Sequence, residues 1–161
     1  ILTVGVDVIA IETQPRLDEV LAELDLVKEL APDTLCYVSF SLKDSTRLPD
    51  GTPLAVAART VAKYPNVFAV GVNCIPLEEV TAAIETIHQA TDKPVIAYPN
   101  SSATYDPTTK TWSYPHGRRG LVDYLPQWLA AGLTIVGGCC TTTPQDIAAL
   151  HEYLKGGAHH D

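Results

Sequence analysis

Five short runs of this chain are apolar almost without interruption: Asp7–Glu12 (DVIAIE), Leu35–Leu42 (LCYVSFSL), Val67–Cys74 (VFAVGVNC), Pro94–Tyr98 (PVIAY) and Leu133–Gly138 (LTIVGG). A strand with one wet face alternates apolar and polar residues. Continuous runs are what parallel strands covered on both faces require. Each run is followed by apolar residues at helical spacing. Leu17–Leu30 carries Leu17, Val20, Leu21, Leu24 and Val27 in that pattern, and Pro53–Lys63, Leu77–Ala90, Leu121–Ala131 and Pro144–Leu154 behave likewise. Pro53 and Pro76 suit first-turn positions, Gly132 a C-terminal cap, and Thr143 an N-cap with Asp146 close behind it. Five βα units in succession predict an α/β fold built on a parallel sheet.

Two architectures satisfy that order. One is a five-stranded doubly wound sheet; the other is part of a (βα)₈ barrel, which typically takes about 250 residues. The chain has 161 residues, so length alone favours the doubly wound sheet, and periodicity does not separate the two. The fourth interval contains an irregular stretch, 100–120, rich in Ser, Thr, Pro, Gly and aromatics. A loop that long inside a compact domain is usually functional or disordered. Residues 156–161 read as a disordered tail. No linker divides the chain into two domains.

Net charge is −8, which disfavours nucleic acid or an anionic membrane as the main partner. No apolar run approaches the roughly 18 residues of a membrane span. The start, Ile1-Leu2-Thr3-Val4, lacks the basic region of a signal peptide, and Met is absent throughout, so a processed product or fragment is expected. Four cysteines are too few for a disulfide scaffold, and a reduced, cytoplasmic setting is the default, in which clustered cysteines suggest metal or catalysis.

Parallel α/β folds build their sites at the C-terminal ends of strands. Glu12 ends the first run, Asn73 and Cys74 the third, Asn100 follows the fourth, and Cys139 and Cys140 end the fifth. Cys74, Cys139 and Cys140 together would make a three-thiolate site; soft thiolates select zinc, and three protein ligands leave a fourth position open. Adjacent cysteines point to opposite sides of a strand, so the chain must turn for both to face one ion. Gly137 and Gly138 give it that freedom. By spacing alone, buried free thiols, a redox pair and a strained vicinal disulfide stay open beside zinc. Cys36, inside a strand, reads as an inert core residue. Glu12 fits equally well as a cap on a neighbouring helix. His88 and His116 read as surface residues. Arg118-Arg119 suits an anion or, more simply, a solvated loop. Tyr105 and Trp112 suit either an aromatic lid or an anchor for their loop.

The motifs "GVNC", "YPNS…YD…KTW", "DYLPQW…AG" and "GGCC.TTP.DI.AL", with "ETQPRLDEV" and "SFSLKDSTRLPDGTPL", resemble the homocysteine S-methyltransferases, in the branch that uses S-methylmethionine or S-adenosylmethionine. The resemblance runs from about Asp7 to Leu154. It implies a zinc-dependent (βα)₈ TIM barrel of which residues 1–161 would be the C-terminal half, strands four to eight. It places the zinc ligands on Cys74, Cys139 and Cys140, puts the homocysteine amino group on Glu12, and makes Asn73 and Asn100 substrate-pocket residues. The implied partners are homocysteine and a sulfonium methyl donor, with methionine as product. The chain departs from the family twice. The Asp-Gly segment near the first barrel strand is missing, and Ser102-Ala103 stands where the family usually has Gly-Glu. Five βα units cannot close an eight-stranded barrel, so open sheet edges and self-association through them are expected, and the chain could be inactive alone. The alternatives are a non-catalytic half-barrel that binds zinc through its thiols, and a five-stranded doubly wound thiol redox protein.

Overall fold

The structure, a computed structural model, describes residues 5–101, 103–114, 117 and 119–157. Its elements are β1 (Val8–Gln14), α1 (Leu17–Leu30), β2 (Leu35–Phe40), α2 (Leu54–Val61), β3 (Val67–Asn73), α3 (Leu77–Ala90), β4 (Val95–Tyr98), β5 (Thr104–Asp106), β6 (Thr111–Ser113), α4 (Leu121–Ala130), β7 (Leu133–Val136) and α5 (Pro144–Gly157). All five apolar runs are strands and all five helical patterns are helices. Pro53 and Pro76 sit one residue earlier than expected, at the N-caps of α2 and α3, with ψ of 132° and 146°. Proline's fixed φ suits extended backbone as well as a first turn. Residues 156 and 157 belong to α5 rather than to a frayed tail, and 158–161 lie outside the described residues.

The stretch 100–120 is not simply irregular. It contains an antiparallel hairpin, β5 with β6, in which Tyr105 faces Trp112 with ring centroids 5.0 Å apart. Asp106 shapes the turn by accepting hydrogen bonds from the backbone N–H groups of Thr108 and Thr109.

The five long strands form one wholly parallel sheet in chain order, β1-β2-β3-β4-β7. Each helix packs against the next, α1 on α2 through α4 on α5, as one continuous layer. A doubly wound sheet reverses its strand order and carries helices on both faces. Neither feature is present among the described residues, which removes the redox alternative built on that architecture. Cys36, Val38 and Phe40 of β2 are fully buried under the helices, in a core with Leu24, Leu54, Ile84 and Trp128. On the opposite face Val8 and Leu35 are 42% and 47% exposed, and Tyr37 and Phe68 are half-buried. Both outer edges, along β1 and β7, lack a partner strand among the described residues. No described helix is long and apolar enough to cross a membrane.

Candidate metal centre and its cavity

The cysteines meet because two strand ends dock on one segment, 97–101. Cys74 follows β3 directly, and its N–H donates to the Tyr98 carbonyl at 3.3 Å. Beyond β7 the chain runs on without strand structure, but it stays beside the same segment. The Gly137 N–H donates to the Ala97 carbonyl at 3.0 Å and the Cys139 N–H to the Pro99 carbonyl at 2.8 Å. β7 therefore stops at Val136, two residues short of the expected Gly138. The turn that brings both cysteines to one side does not come from positive φ at the glycine pair. Left-handed backbone is found instead just after the cysteine pair, at Thr141 with φ 63°, and at Cys74 itself with φ 54°. Left-handed backbone is costly for residues with a Cβ and collects at functional sites. Gly138 serves close approach instead: a Cβ there would lie 2.3 Å from the Thr142 side chain.

Asn100 ties the two ligand segments together. Its Nδ2 donates to the Cys74 carbonyl at 3.2 Å, and its Oδ1 accepts the Cys140 N–H at 3.2 Å. Ser101 adds a bond from its N–H to the Cys140 carbonyl at 3.1 Å and another between its hydroxyl and that of Thr141. Asn73, 1% exposed, performs the same service one strand over. Its Oδ1 accepts from the Thr13 N–H at 3.0 Å and from the Ser39 hydroxyl at 2.7 Å, and its Nδ2 donates to the Thr13 hydroxyl at 2.7 Å. That amide joins the ends of β1, β2 and β3 immediately before Cys74. Sequence reading passed over Thr13, Ser39, Ser101 and Thr141; their only signal was their position at strand tips.

All four cysteines are free. Cys36 is fully buried in the core, as expected. The Sγ atoms of Cys74, Cys139 and Cys140 lie within 4.8 Å of one another, and Cys74 and Cys140 are 3.8 Å apart. Two sulfurs each about 2.3 Å from a tetrahedral zinc would be separated by about 3.8 Å. The donor set and its spacing thus fit the ion without rearrangement of that pair. Burial, followed by the adjacent Cys139 and Cys140 thiols, pushes the Cys74 thiol up to about 12. A metal bound here must displace thiol protons, so binding and proton release are linked.

β1 runs two residues past the expected end, so Glu12 lies within it, exposed, and accepts a hydrogen bond from the Tyr98 phenol at 2.9 Å; no cap on a helix by Glu12 is seen among the described residues. Burial raises the Tyr98 phenol far above its ordinary range, so it remains a donor to that carboxylate. Alongside Cys74 opens a cavity of about 660 Å³, with Asn100, Tyr105 and Trp112 in its wall. The aromatic pair thus stands on the cavity wall. Arg119 is not a bare solvated residue: its guanidinium lies 2.6 Å from Glu78 at the same cavity. Arg118 and His116 lie outside the described residues, and His88 is exposed.

A family model described as homocysteine S-methyltransferase matches residues 1–154. The chain belongs to the homocysteine S-methyltransferase family. Within that family it is 47% identical to homocysteine S-methyltransferase of Escherichia coli (strain K12) over 152 residues, covering 93% of this chain and 48% of the relative. It is 40% identical to homocysteine S-methyltransferase YbgG of Bacillus subtilis (strain 168), covering 96% and 50%. The crystal structure of the E. coli homocysteine methyltransferase MmuM in its metallated form superposes with a TM-score of 0.79 at 43% identity, over 94% of this chain and 46% of that one. The apo form gives 0.78. The chain spans about half the length of the curated relatives it matches.

Asn100 offers the sharpest test of how this family member holds its thiols. Removing a group that orients metal ligands typically costs 10–100-fold in metal affinity. Asn100→Ala is expected to lose about that much, and Asn100→Asp to fare no better, because a carboxylate cannot donate to the Cys74 carbonyl. Competition with a chelating indicator measures it; affinity unchanged in Asn100→Ala would remove the clamp.

Proposed function

We propose that residues 1–161 are the metal-bearing C-terminal half of a homocysteine S-methyltransferase barrel, strands four to eight, which takes a methyl group from a sulfonium donor and delivers it to homocysteine. The observation that carries this reading is the trio of sulfurs gathered from two chain positions at the C-terminal end of the sheet. Three features support the half-barrel: strand order that follows chain order, one helical layer, and an uncovered face with exposed Val8 and Leu35 between two open edges. The missing barrel half, or a second copy of this one, would cover them.

Cys74, Cys139 and Cys140 would hold zinc. When bound, zinc supplies a Lewis acid that keeps a substrate thiol in its reactive thiolate form at neutral pH. This chain's residues do the positioning. Asn100 and Asn73 fix the two ligand segments, and Glu12, steadied by Tyr98, receives the homocysteine ammonium. The hairpin aromatics exclude water from the face next to Cys74. In the transfer, the homocysteine sulfur forms a bond to the methyl carbon while the bond from that carbon to the donor sulfur breaks. The electron pair stays with the donor, which leaves as a neutral thioether, and the thiol proton goes to solvent. No general acid is needed, which agrees with the thiol- and amide-lined site. With S-methylmethionine as donor, both products are methionine.

The test is methionine formation from homocysteine and S-methylmethionine by the zinc-loaded protein with the other barrel half present, and Glu12→Ala beside it. Product is expected in the parent, and Glu12→Ala is expected to raise KM for homocysteine about tenfold or more, the loss of one charged hydrogen bond, at unchanged metal content. Stoichiometric zinc without turnover would favour the non-catalytic metal-holding module instead.

A further inference from the structure

The cavity beside Cys74 carries an ion pair that neither the thiol triad nor Glu12 uses. Glu78, in the first turn of α3, and Arg119, just ahead of α4, both line it. The Arg119 guanidinium lies 2.6 Å from the Glu78 carboxylate and 5.5 Å from the centroid of the Tyr124 ring, whose hydroxyl reaches Glu78 at 3.4 Å. The two side chains are 47% and 53% exposed, so a dissolved molecule can reach both. A pair so open adds about 0–1 kcal/mol to stability at most. Stability therefore gives little reason for its place on a cavity wall. The rest of that wall divides into a thiol and amide part, Cys74 and Asn100, and an aromatic part, Tyr105 and Trp112.

We infer that Glu78 and Arg119 together bind the α-amino-acid head group of the methyl donor, its carboxylate on Arg119 and its ammonium on Glu78. An ion pair is the electrostatic complement of a zwitterion, and the planar guanidinium fork matches a carboxylate through two parallel bonds. The donor's other charge, the sulfonium, meets the Tyr105–Trp112 wall, where aromatic faces attract cations. Homocysteine has its own carboxylate partner in Glu12, which does not line this cavity. Ala103 does line it, so no acidic side chain projects from that point of the loop. Among the described residues Glu78 is the one carboxylate in the lining. The donor's ammonium is thus received from α3 rather than from the loop after β4. This inference rests on the methyl-transfer reading and adds to it the residues that select an amino-acid donor over a bare sulfonium.

The experiment titrates the zinc-loaded protein with S-methylmethionine, and separately with trimethylsulfonium, which has the cationic sulfur but no head group. Trp112 fluorescence and calorimetry report binding independently of turnover. Trp112→Phe identifies the emission, since Trp128 is fully buried. S-methylmethionine is expected to bind at least about tenfold more tightly than trimethylsulfonium. Arg119→Leu and Glu78→Gln are each expected to weaken S-methylmethionine about tenfold while leaving trimethylsulfonium and zinc content unchanged. Arg119→Lys, which keeps the charge and loses the fork, is expected to fall between. Variants that bind S-methylmethionine as the parent does, or a parent that does not distinguish the two sulfonium compounds, would overturn the assignment. A parent that holds no zinc and binds neither compound would overturn the methyl-transfer reading itself.

Discussion

Cys139→Ser is expected to abolish stoichiometric zinc. Structural zinc sites bind with apparent energies of about 10–16 kcal/mol across four ligands, so one thiolate contributes about 3–4 kcal/mol, or two to three decades of affinity. With three protein ligands there is no spare donor to take its place. The nearby Ser101 and Thr141 hydroxyls are already bonded to each other. After dialysis against a mild chelator, metal analysis is expected to give about one zinc per chain in the parent and near zero in the variant. Cys36→Ser is the matched control. Cys36 is fully buried on the helix side of the sheet, so its loss leaves the metal count unchanged. Zinc retained by Cys139→Ser and lost in Cys36→Ser would reverse the assignment of the thiols.

Gly71→Ala is expected to be the most damaging single methyl in the sheet. Gly71 pairs with Ile96 across β3 and β4, and a Cβ on it would lie 1.7 Å from the Ile96 carbonyl oxygen. The obstruction is backbone, so no rotamer change relieves it, and the two strands must separate or slip. Overpacking of a buried site costs about 1–3 kcal/mol, and a backbone collision belongs at or above that limit. With a urea slope of about 2 kcal/mol/M, a loss of about 3 kcal/mol moves the unfolding midpoint down by about 1.5 M. Gly51→Ala is the comparison. Gly51 has φ +90° with nothing within 4 Å of a Cβ, so only backbone strain of about 1–2 kcal/mol applies. A midpoint for Gly71→Ala equal to or above that of Gly51→Ala would mean that β3 and β4 are not paired in this register. Because Cys74 lies three residues beyond Gly71, zinc affinity is expected to fall with stability.

The five strands and five helices were legible because burial on both sides leaves a continuous apolar run, and the covering helices leave a 3.6-residue pattern. The hairpin was not. Thr111, Trp112 and Ser113 are all exposed, so no burial pattern marks the strand, and the Tyr105–Trp112 contact is a cross-strand event invisible to local periodicity. Strand order was equally hidden, since chain order and doubly wound order share one sequence of elements. The cysteine positions and their gathering into one three-thiolate site could be read from their strand-tip location, but not the contacts that gather them. Those depend on β4 lying between β3 and β7, and on Asn100 reaching both neighbours. The glycine pair itself does not take up positive φ. Sequence reasoning assigns left-handed backbone to glycine, whereas here Thr13, Cys74 and Thr141 adopt it at the strand ends. Tertiary hydrogen bonds, such as that from the Thr13 N–H to Asn73, outweigh local preference at those positions.

X-ray absorption at the zinc edge, on metal-loaded protein before and after homocysteine is added, addresses the metal centre most directly. Three sulfur neighbours at about 2.3 Å with one lighter ligand are expected first, and four sulfurs after the thiol substrate enters. Two or fewer sulfurs at the start, or a shell that homocysteine leaves unaltered, would contradict the assignment of Cys74, Cys139 and Cys140 to an open catalytic site.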